Sequence, residues 1–139
     1  MAVVEPDDVA VESLRALSSS LEFSMMDESS SVIGVSGLIP GVGKSFVSVN
    51  LAALFAGMGK KVLLIDADLR KGRLHKEFGI KRGDGFSQAL LKSVEPEKVI
   101  IHTEVENLFV IPCGNVPANP AALLGSKRYQ EMIDNFKSQ

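Results

Sequence analysis

The amino-acid sequence predicts an α/β fold built on a doubly wound, mostly parallel sheet. Strand-like and helix-like segments alternate along the 139 residues, which is typical of a parallel sheet with helices on both faces. Residues 62–65 form an unbroken apolar run, characteristic of a strand that is covered on both sides. A glycine-rich turn, "PGVGKS", separates an earlier apolar segment from a helix-like one, so the order is strand, loop, helix, strand.

The first predicted element is an amphipathic helix near the N-terminus. Either Asp7 or Asp8 can cap this helix. The residues that follow support a helix, because apolar residues recur among them at helical spacing. These residues are Val11, Leu14, Leu17 and Leu21. Residues 1–10 are expected to be a flexible segment that precedes a folded region at residues 11–139.

A strand and a helix are predicted on either side of the glycine-rich turn. The strand is "SVIGVS", residues 31–36. The helix is expected to begin at Lys44 and to end near Gly57 or Gly59, since glycine readily adopts the left-handed conformation that terminates helices.

The C-terminal half continues the alternation. A short helix is predicted within residues 84–94, and strands are predicted within residues 98–101 and 108–113. A terminal helix is expected to start at Asn119 and Pro120, because proline is favoured at the first helical position.

Composition and charge exclude several classes of protein. The sequence has no run of eighteen consecutive apolar residues that could span a membrane. Its N-terminus also lacks the basic start and the apolar core of a secretory signal. These features favour a cytoplasmic location. The single Cys113 is interpreted as a packing residue, and no zinc-ligand spacing or Ser/His/Asp order is present.

The net charge of −2 conceals a segregation of charge along the chain. Residues 1–30 carry seven acids and one base, whereas residues 59–82 carry eight bases and three acids. A basic stretch can face nucleic acid, anionic lipid, nucleotide phosphates or an acidic partner, or can simply be solvated. Aromatic residues are few and are not interleaved with the bases, which argues against nucleic acid as a partner. His75, within this stretch, is expected to be a surface residue.

The glycine-rich turn has the residues of a phosphate-binding loop. Gly41 and Gly43 allow positive φ and close approach of a ligand, and the helix that follows directs its N–H groups and positive dipole end at the loop. Lys44 can reach the β and γ phosphates, and the hydroxyl of Ser45 can bind Mg²⁺. The usual first glycine of the motif is replaced by Leu38, so the loop is a deviant form.

Two carboxylates follow the apolar strand at residues 62–65. Phosphoryl transfer needs a carboxylate for the metal and a group that receives or positions a proton. Asp66 and Asp68 lie where ligands bind in open α/β sheets, at the carboxyl end of a strand. The sequence alone leaves open which aspartate has which role, and it also allows both to serve only as strand-terminating caps.

Three segments together resemble the cytoplasmic kinase domain of the bacterial tyrosine kinases that act with capsule and exopolysaccharide co-polymerases. They are "GLIPGVGKS", "VLLIDADLRKGRLH" and "NPAALLGSKR". The first resembles the deviant Walker A loop of a P-loop NTPase and the second the family's Walker A′ motif. The resemblance implies binding of ATP and Mg²⁺, and transfer of the γ-phosphoryl group to tyrosine hydroxyls, often on a neighbouring copy of the chain.

The resemblance also implies roles for individual residues. Lys44, Asp66 and Asp68 would be catalytic, with Asp66 as the acceptor-side base, and Ser45 and Asp68 would hold the metal. The expected nucleotide contacts are Pro40, Gly41, Val42, Gly43, Lys44, Ser45, Phe46 and Arg70. Implied partners are further copies of the chain, for which a ring is one arrangement, a membrane-spanning co-polymerase or a membrane region of the same protein, and a tyrosine-rich tail as substrate. The expected location is therefore the inner face of the cell membrane.

The chain departs from this family at several points. The N-terminal helix has Glu12 and Arg15 but Ser18 where the family's packing motif has a second arginine, so one ionic contact is expected to be lost. No Walker B strand ending in Asp-x-x-Pro is present; by family spacing it would begin just beyond Gln139. The resemblance therefore implies that residues 11–139 are the N-terminal portion of a P-loop nucleotide-binding kinase domain whose sheet is incomplete at the C-terminus. The tyrosine-rich tail is also absent, and Tyr129 is expected to be an ordinary helix residue.

These absences predict that catalysis by the 139-residue form is weak or absent although its nucleotide loop is intact. An alternative function is an ATP-binding regulatory module of polysaccharide assembly without kinase activity. Partition-type ATPases share the deviant loop, but their signature lysine is replaced here by Ile39, so this third function is disfavoured.

Overall fold

The computed structural model describes residues 8–27 and 31–139. Its first helix, α1, is Val9–Ser24, and the side chain of Asp8 caps it by accepting the N–H of Ala10 at 2.9 Å. This confirms one of the two predicted caps; Asp7 lies outside the described residues. The boundary predicted after residue 10 falls inside α1.

The buried face of α1 differs from the predicted one by one position. Val11, Leu14 and Ser18 are buried against the rest of the fold, while Leu17 is 42% exposed. Because they are spaced three and four residues apart, Val11, Leu14 and Ser18 lie on one face of the helix, and Leu17 lies beside that face. The small Ser18 is accommodated because its hydroxyl donates to the carbonyl of Arg15 at 2.8 Å.

The segment 31–36 is not a strand in the structure, and this prediction was wrong. Its residues are exposed and pair with no neighbour. A strand requires a hydrogen-bonded partner from elsewhere in the chain. The described residues provide no such partner beside this segment.

The glycine-rich turn leads into α2, Lys44–Gly57, as predicted, and α2 is followed by strand β1, Val62–Ile65. Helix α1 packs along α2, and Lys60 after α2 forms an ion pair with Glu22 at 3.1 Å. The helix α2 itself covers one face of β1. None of the helices within residues 8–27 and 31–139 has the length and apolarity needed to cross a bilayer.

Three strands form the sheet found in the described part of the chain, in the order β1, β3, β2. Strand β3, Leu108–Ile111, lies parallel to β1 with Val62 opposite Leu108. Strand β2, Ile101–His102, pairs antiparallel to β3. The predicted strand at 98–101 is therefore mostly wrong, because a 3₁₀ turn at Pro96–Val99 occupies its first half; proline at the start of the turn cannot donate to a ladder.

The remaining helices lie in the C-terminal half. Helix α3, Leu74–Glu77, was not predicted, whereas α4, Phe86–Leu90, falls within the predicted short helix. The predicted single terminal helix is two helices, α5 Pro120–Leu124 and α6 Lys127–Lys137. Helix α5 ends before Gly125. A new helix, α6, begins after Ser126, whose hydroxyl accepts the N–H of Tyr129 at 3.2 Å and so caps it.

Helices cover both faces of the sheet, which confirms the doubly wound prediction. On one face α2 packs against β1 and β3, around residues such as Val49, Ala52 and Val110. On the other face the core is centred on the fully buried Phe86, with α6 contributing Met132. Tyr129 packs edge-on against Phe86 at a ring separation of 6.0 Å, in agreement with an ordinary helix-face role.

Candidate nucleotide site

The loop before α2 contains two glycines with a left-handed backbone conformation. Gly41 and Gly43 have φ of 79° and 93°, which side chains with a Cβ rarely adopt. Gly43 is the N-cap of α2 and contributes no side-chain bond to the helix. The first N–H groups of a helix have no partner within it, so those of α2 are free to bind an anion on its axis.

Lys44 and Asp68 connect the loop to the end of β1. The Nζ of Lys44 lies 4.0 Å from Oδ2 of Asp68, and about a third to a half of each side chain is exposed. An exposed pair at this distance contributes little to stability. Its importance is positional, because it places the loop's cation beside the strand's carboxylates.

Asp66 is held in place more firmly than Asp68. It is 8% exposed, and its two carboxylate oxygens accept the N–H groups of Asp68 at 3.2 Å and Leu74 at 3.1 Å. Burial raises the pKa of Asp66 above the ordinary value of 3.8, and these backbone donors oppose that effect. A raised pKa suits a carboxylate that accepts a proton.

The raised pKa of Asp66 predicts how the stability of the fold changes with pH. Because the folded state favours the protonated form, the stabilising contribution is complete below the unfolded pKa, near pH 4, and is lost as pH rises through the folded pKa. We expect the unfolding free energy of the native chain, relative to that of the Asp66→Asn variant, to fall between pH 4 and pH 7. Urea unfolding of both proteins measures it; a difference that stays constant with pH would contradict the assignment.

Asp68 is the more accessible carboxylate. Its Oδ1 accepts the N–H of Lys71 at 3.0 Å, and Oδ2 faces Lys44. The residues Asp66, Asp68 and Arg70 line one large cavity with the loop. Of the predicted nucleotide contacts, only Val42 is missing from its lining, which includes Pro40, Gly41, Gly43, Lys44, Ser45, Phe46 and Arg70.

Several residues around Asp66 escaped sequence reasoning. His75 was predicted at the surface but is buried, since it belongs to α3, whose first residue donates to Asp66. Gly72 lies against Asp66 and Cys113. Burial also raises the pKa of the Cys113 thiol, with the charge of Asp66 adding to the effect, so Cys113 is a packing residue, as predicted. The glycine in "RKGR" was the one signal in the sequence for this close contact.

The donor set around the loop suits Mg²⁺ only in company with other ligands. No cluster of three or more His, Cys, Asp or Glu that could enclose a metal occurs in the described parts of the chain. Mg²⁺ characteristically uses one or two protein oxygens and completes its octahedron with water and phosphate. The Ser45 hydroxyl and the Asp68 carboxylate fit this arrangement.

Fold and site define an α/β protein of the P-loop NTPase type. A family model described as an AAA domain matches residues 30–136, and the chain belongs to this family. Among solved structures, it is similar to the kinase domain of Escherichia coli tyrosine kinase ETK, with a TM-score of 0.92 and 41% identity over 99% of this chain and 54% of that one. It is also similar to the BceF tyrosine kinase domain, with a TM-score of 0.87 and 41% identity over 97% of this chain and 54% of that one.

Curated relatives carry the same designation. The chain is 42% identical over its whole length to a tyrosine-protein kinase, ptk, of Acinetobacter johnsonii, and 46% identical over 96% to a putative tyrosine-protein kinase, EpsB, of Ralstonia solanacearum. Both of these relatives are therefore bacterial proteins designated as tyrosine kinases. The chain spans only 19% and 18% of the lengths of these two relatives.

A cell division ATPase is a more distant match. The chain is 30% identical to MinD of Pyrococcus furiosus, with a TM-score of 0.61 over 74% of this chain. Ile39, at the position of the partition proteins' signature lysine, is 64% exposed. The kinase domains match over more of the chain and with higher TM-scores.

Proposed function

We propose that this chain is the nucleotide-binding portion of an ATP-dependent protein tyrosine kinase that acts in capsule or exopolysaccharide production. The observation that supports this most directly is the convergence of the α2 N-terminus, Lys44, Asp66 and Asp68 on one cavity. The kinase designations of the relatives supply the reaction class.

The loop would hold the phosphates of ATP. The free N–H groups at the start of α2 would donate to phosphate oxygens, and Lys44 would add a charge-assisted bond. The ion pair with Asp68 keeps the lysine on the loop side of the cavity before ATP binds. This preorganisation favours the in-line geometry that phosphoryl transfer needs.

The two aspartates would divide the remaining work. The buried Asp66 would accept the proton of the tyrosine hydroxyl as its oxygen forms a bond to the γ-phosphorus and the bond to the β-phosphate oxygen breaks. Ser45 and Asp68 would hold Mg²⁺, the aspartate through water or directly. When bound, that ion neutralises charge on the phosphate oxygens.

Basic residues beside the aspartates could recruit the substrate. Lys71, Arg73 and Lys76 follow Asp68 closely and line the same cavity, and a basic surface attracts an acidic tyrosine-containing tail. Such a tail on another copy of the chain would explain a homo-oligomer. A membrane-spanning co-polymerase, as a partner or as another region of the same protein, would place the domain at the inner face of the membrane.

A second candidate function is an ATP-responsive regulatory module without useful transfer. The observation that favours it is the unpaired segment 31–36 directly before the loop, which leaves the anchoring of the loop incomplete. For this reason we expect little or no transfer by the 139-residue chain alone.

A chimaera separates the two functions. In it, residue 139 is followed by the part of the ETK kinase domain that lies outside the match, and labelled ATP is supplied with a tyrosine-rich peptide. The kinase proposal expects phosphotyrosine, and Asp66→Asn should reduce its rate by about 10²-fold or more, the usual contribution of a general base.

ATP affinity provides the control for this experiment. Asp66→Asn should leave the dissociation constant of ATP nearly unchanged, because Asp66 is assigned to the tyrosine and not to the phosphates. A chimaera that binds ATP and forms no phosphotyrosine would support the regulatory module instead.

A further inference from the structure

The phosphate loop has a leucine where the usual motif, G-x-x-x-x-G-K-S/T, has its first glycine. That residue is Leu38, and the glycine of this chain, Gly37, comes directly before it. Leu38 is fully exposed. A side chain at position 38 therefore extends into solvent, and nothing at this position requires a glycine.

Gly37, in contrast, lies against side chains of the loop itself. A Cβ added at Gly37 would overlap Cγ2 of Val42 and would lie 3.1 and 3.2 Å from Cγ and Cδ of Lys44. The φ of Gly37 is negative, unlike those of Gly41 and Gly43, so a left-handed conformation is not what makes a glycine suitable there. The requirement is for space above its backbone.

This contact accounts for the positions of two side chains. Val42 does not line the cavity of the loop because its side chain folds back onto Gly37. The stem of Lys44 also rests on Gly37, while its Nζ lies 4.0 Å from Oδ2 of Asp68. A lysine side chain is flexible, so support along the stem and an ion pair at the tip together restrict the direction in which it points.

We propose that Gly37 is a positioning residue of the phosphate loop, because the absence of its side chain lets Val42 and Lys44 pack in the arrangement that directs the loop at phosphate. In this chain the steric need for a glycine lies at position 37 instead of position 38. Gly37 does not line the cavity and acts through the two residues above it. This role rests on the proposed ATP site, for which Lys44→Ala is the separate test.

A methyl group at position 37 should affect the loop more than the fold. Val42 is β-branched and has few rotamers with which to avoid the new group, so the loop itself must move. Leu38, Ile39 and Val42 are at least half exposed, and the loop can therefore move outward without uncovering much buried surface. The chain without a ligand loses little stability, whereas phosphate binding must restore the crowded arrangement.

Gly37→Ala in the 139-residue chain tests this role. Its affinity for ATP and Mg²⁺, measured by calorimetric titration, should fall by about tenfold, a typical effect of overpacking one contact. Inorganic triphosphate with Mg²⁺ should lose the same factor, because the loop contacts phosphates and not the base. The urea midpoint of unfolding should change little, which separates positioning of the loop from support of the fold.

Gly57→Ala is the matched control. Gly57 ends α2, the helix that Lys44 begins, and does not line the cavity. No atom of the described residues lies within 4 Å of a Cβ added there. Its ATP affinity should equal that of the native chain, and its stability should be equal or slightly higher, since alanine favours helix more than glycine does.

Two double variants distinguish a need for space from a need for flexibility. Val42→Ala removes the Cγ2 that the new methyl group would meet, so adding Gly37→Ala to Val42→Ala should cost only about threefold in ATP affinity. Some loss remains because the contacts with Lys44 are unchanged. Leu38→Gly combined with Gly37→Ala returns a glycine to the usual position of the motif, and it should restore no affinity.

Equal ATP affinity in Gly37→Ala and Gly57→Ala overturns the proposal. Recovery with Leu38→Gly also overturns it, because flexibility of the loop would then be the requirement. A loss for ATP without a loss for triphosphate, or a loss that Val42→Ala does not reduce, has the same consequence. If the native chain does not bind ATP, or if Lys44→Ala binds it normally, the phosphate site itself is refuted and this role with it. Failure of Gly37 alone is thus distinct from failure of the ATP site.

Discussion

Replacing Lys44 with alanine is expected to weaken ATP binding by roughly 10- to 100-fold. The lysine is the cation of the loop, and its charge-assisted bond to phosphate should contribute about 1.5–3 kcal/mol; each 1.4 kcal/mol corresponds to a tenfold change in affinity. The change also leaves Asp68 without its partner at 4.0 Å, which places an unbalanced negative charge near the phosphates. Both effects weaken binding, and calorimetric titration with ATP and Mg²⁺ measures their sum.

Lys127→Ala is the matched control for this change. It also removes a lysine from an ion pair, with Glu131 at 3.6 Å, but that lysine is 91% exposed on α6 and does not line the cavity of the loop. Its ATP affinity should equal that of the native chain. The phosphate-loop assignment fails if Lys44→Ala binds ATP as tightly as Lys127→Ala does.

The loop and its helix were predictable because their signals are local. Gly43, Lys44 and Ser45 are adjacent, and the conformation they require depends on residues within one turn of α2. Strand β1 and the two aspartates that follow it were also predictable from local signals, because a short apolar run is followed directly by charged residues. The structure brings Lys44 of the loop to 4.0 Å from Asp68, which follows β1.

The segment 31–36 was mispredicted for the opposite reason. Its composition favours a strand, but strand formation depends on a partner that is remote in sequence. The short β2 depends in the same way on its pairing with β3. The division of the terminal helix has a local cause instead, because the Ser126 hydroxyl caps a new helix after Gly125.

The environment of Asp66 could not be read from its neighbours in sequence. Its carboxylate accepts the N–H of Leu74, eight residues further on, and lies near Cys113 across Gly72. These contacts arise because the chain folds back after β1 to form α3. The burial that raises the pKa of Asp66 and the burial of His75 both result from this turn.

Gly72→Ala is expected to destabilise the fold by roughly 1–3 kcal/mol, the usual cost of overpacking a filled site. A Cβ at position 72 would lie 2.5 Å from both Oδ2 of Asp66 and Sγ of Cys113. Neither can move freely, since Asp66 is held by two backbone donors and Cys113 is 4% exposed. Urea unfolding measures the loss. Gly83→Ala is the control, because no atom lies within 4 Å of its added Cβ; its stability should be unchanged or slightly raised.

A second substitution tests whether the clash is the cause. Cys113→Ala removes the Sγ that the new methyl group would meet, so the double variant should lose less stability than the sum of the two single variants. Contacting residues typically show coupling of about 0.5–3 kcal/mol. Rescue should be partial, because the contacts with Oδ2 of Asp66 and Cβ of Cys113, at 2.5 and 2.6 Å, remain. Strictly additive losses would mean that Gly72 does not act through this contact, and that the position of Asp66 depends on other parts of the turn.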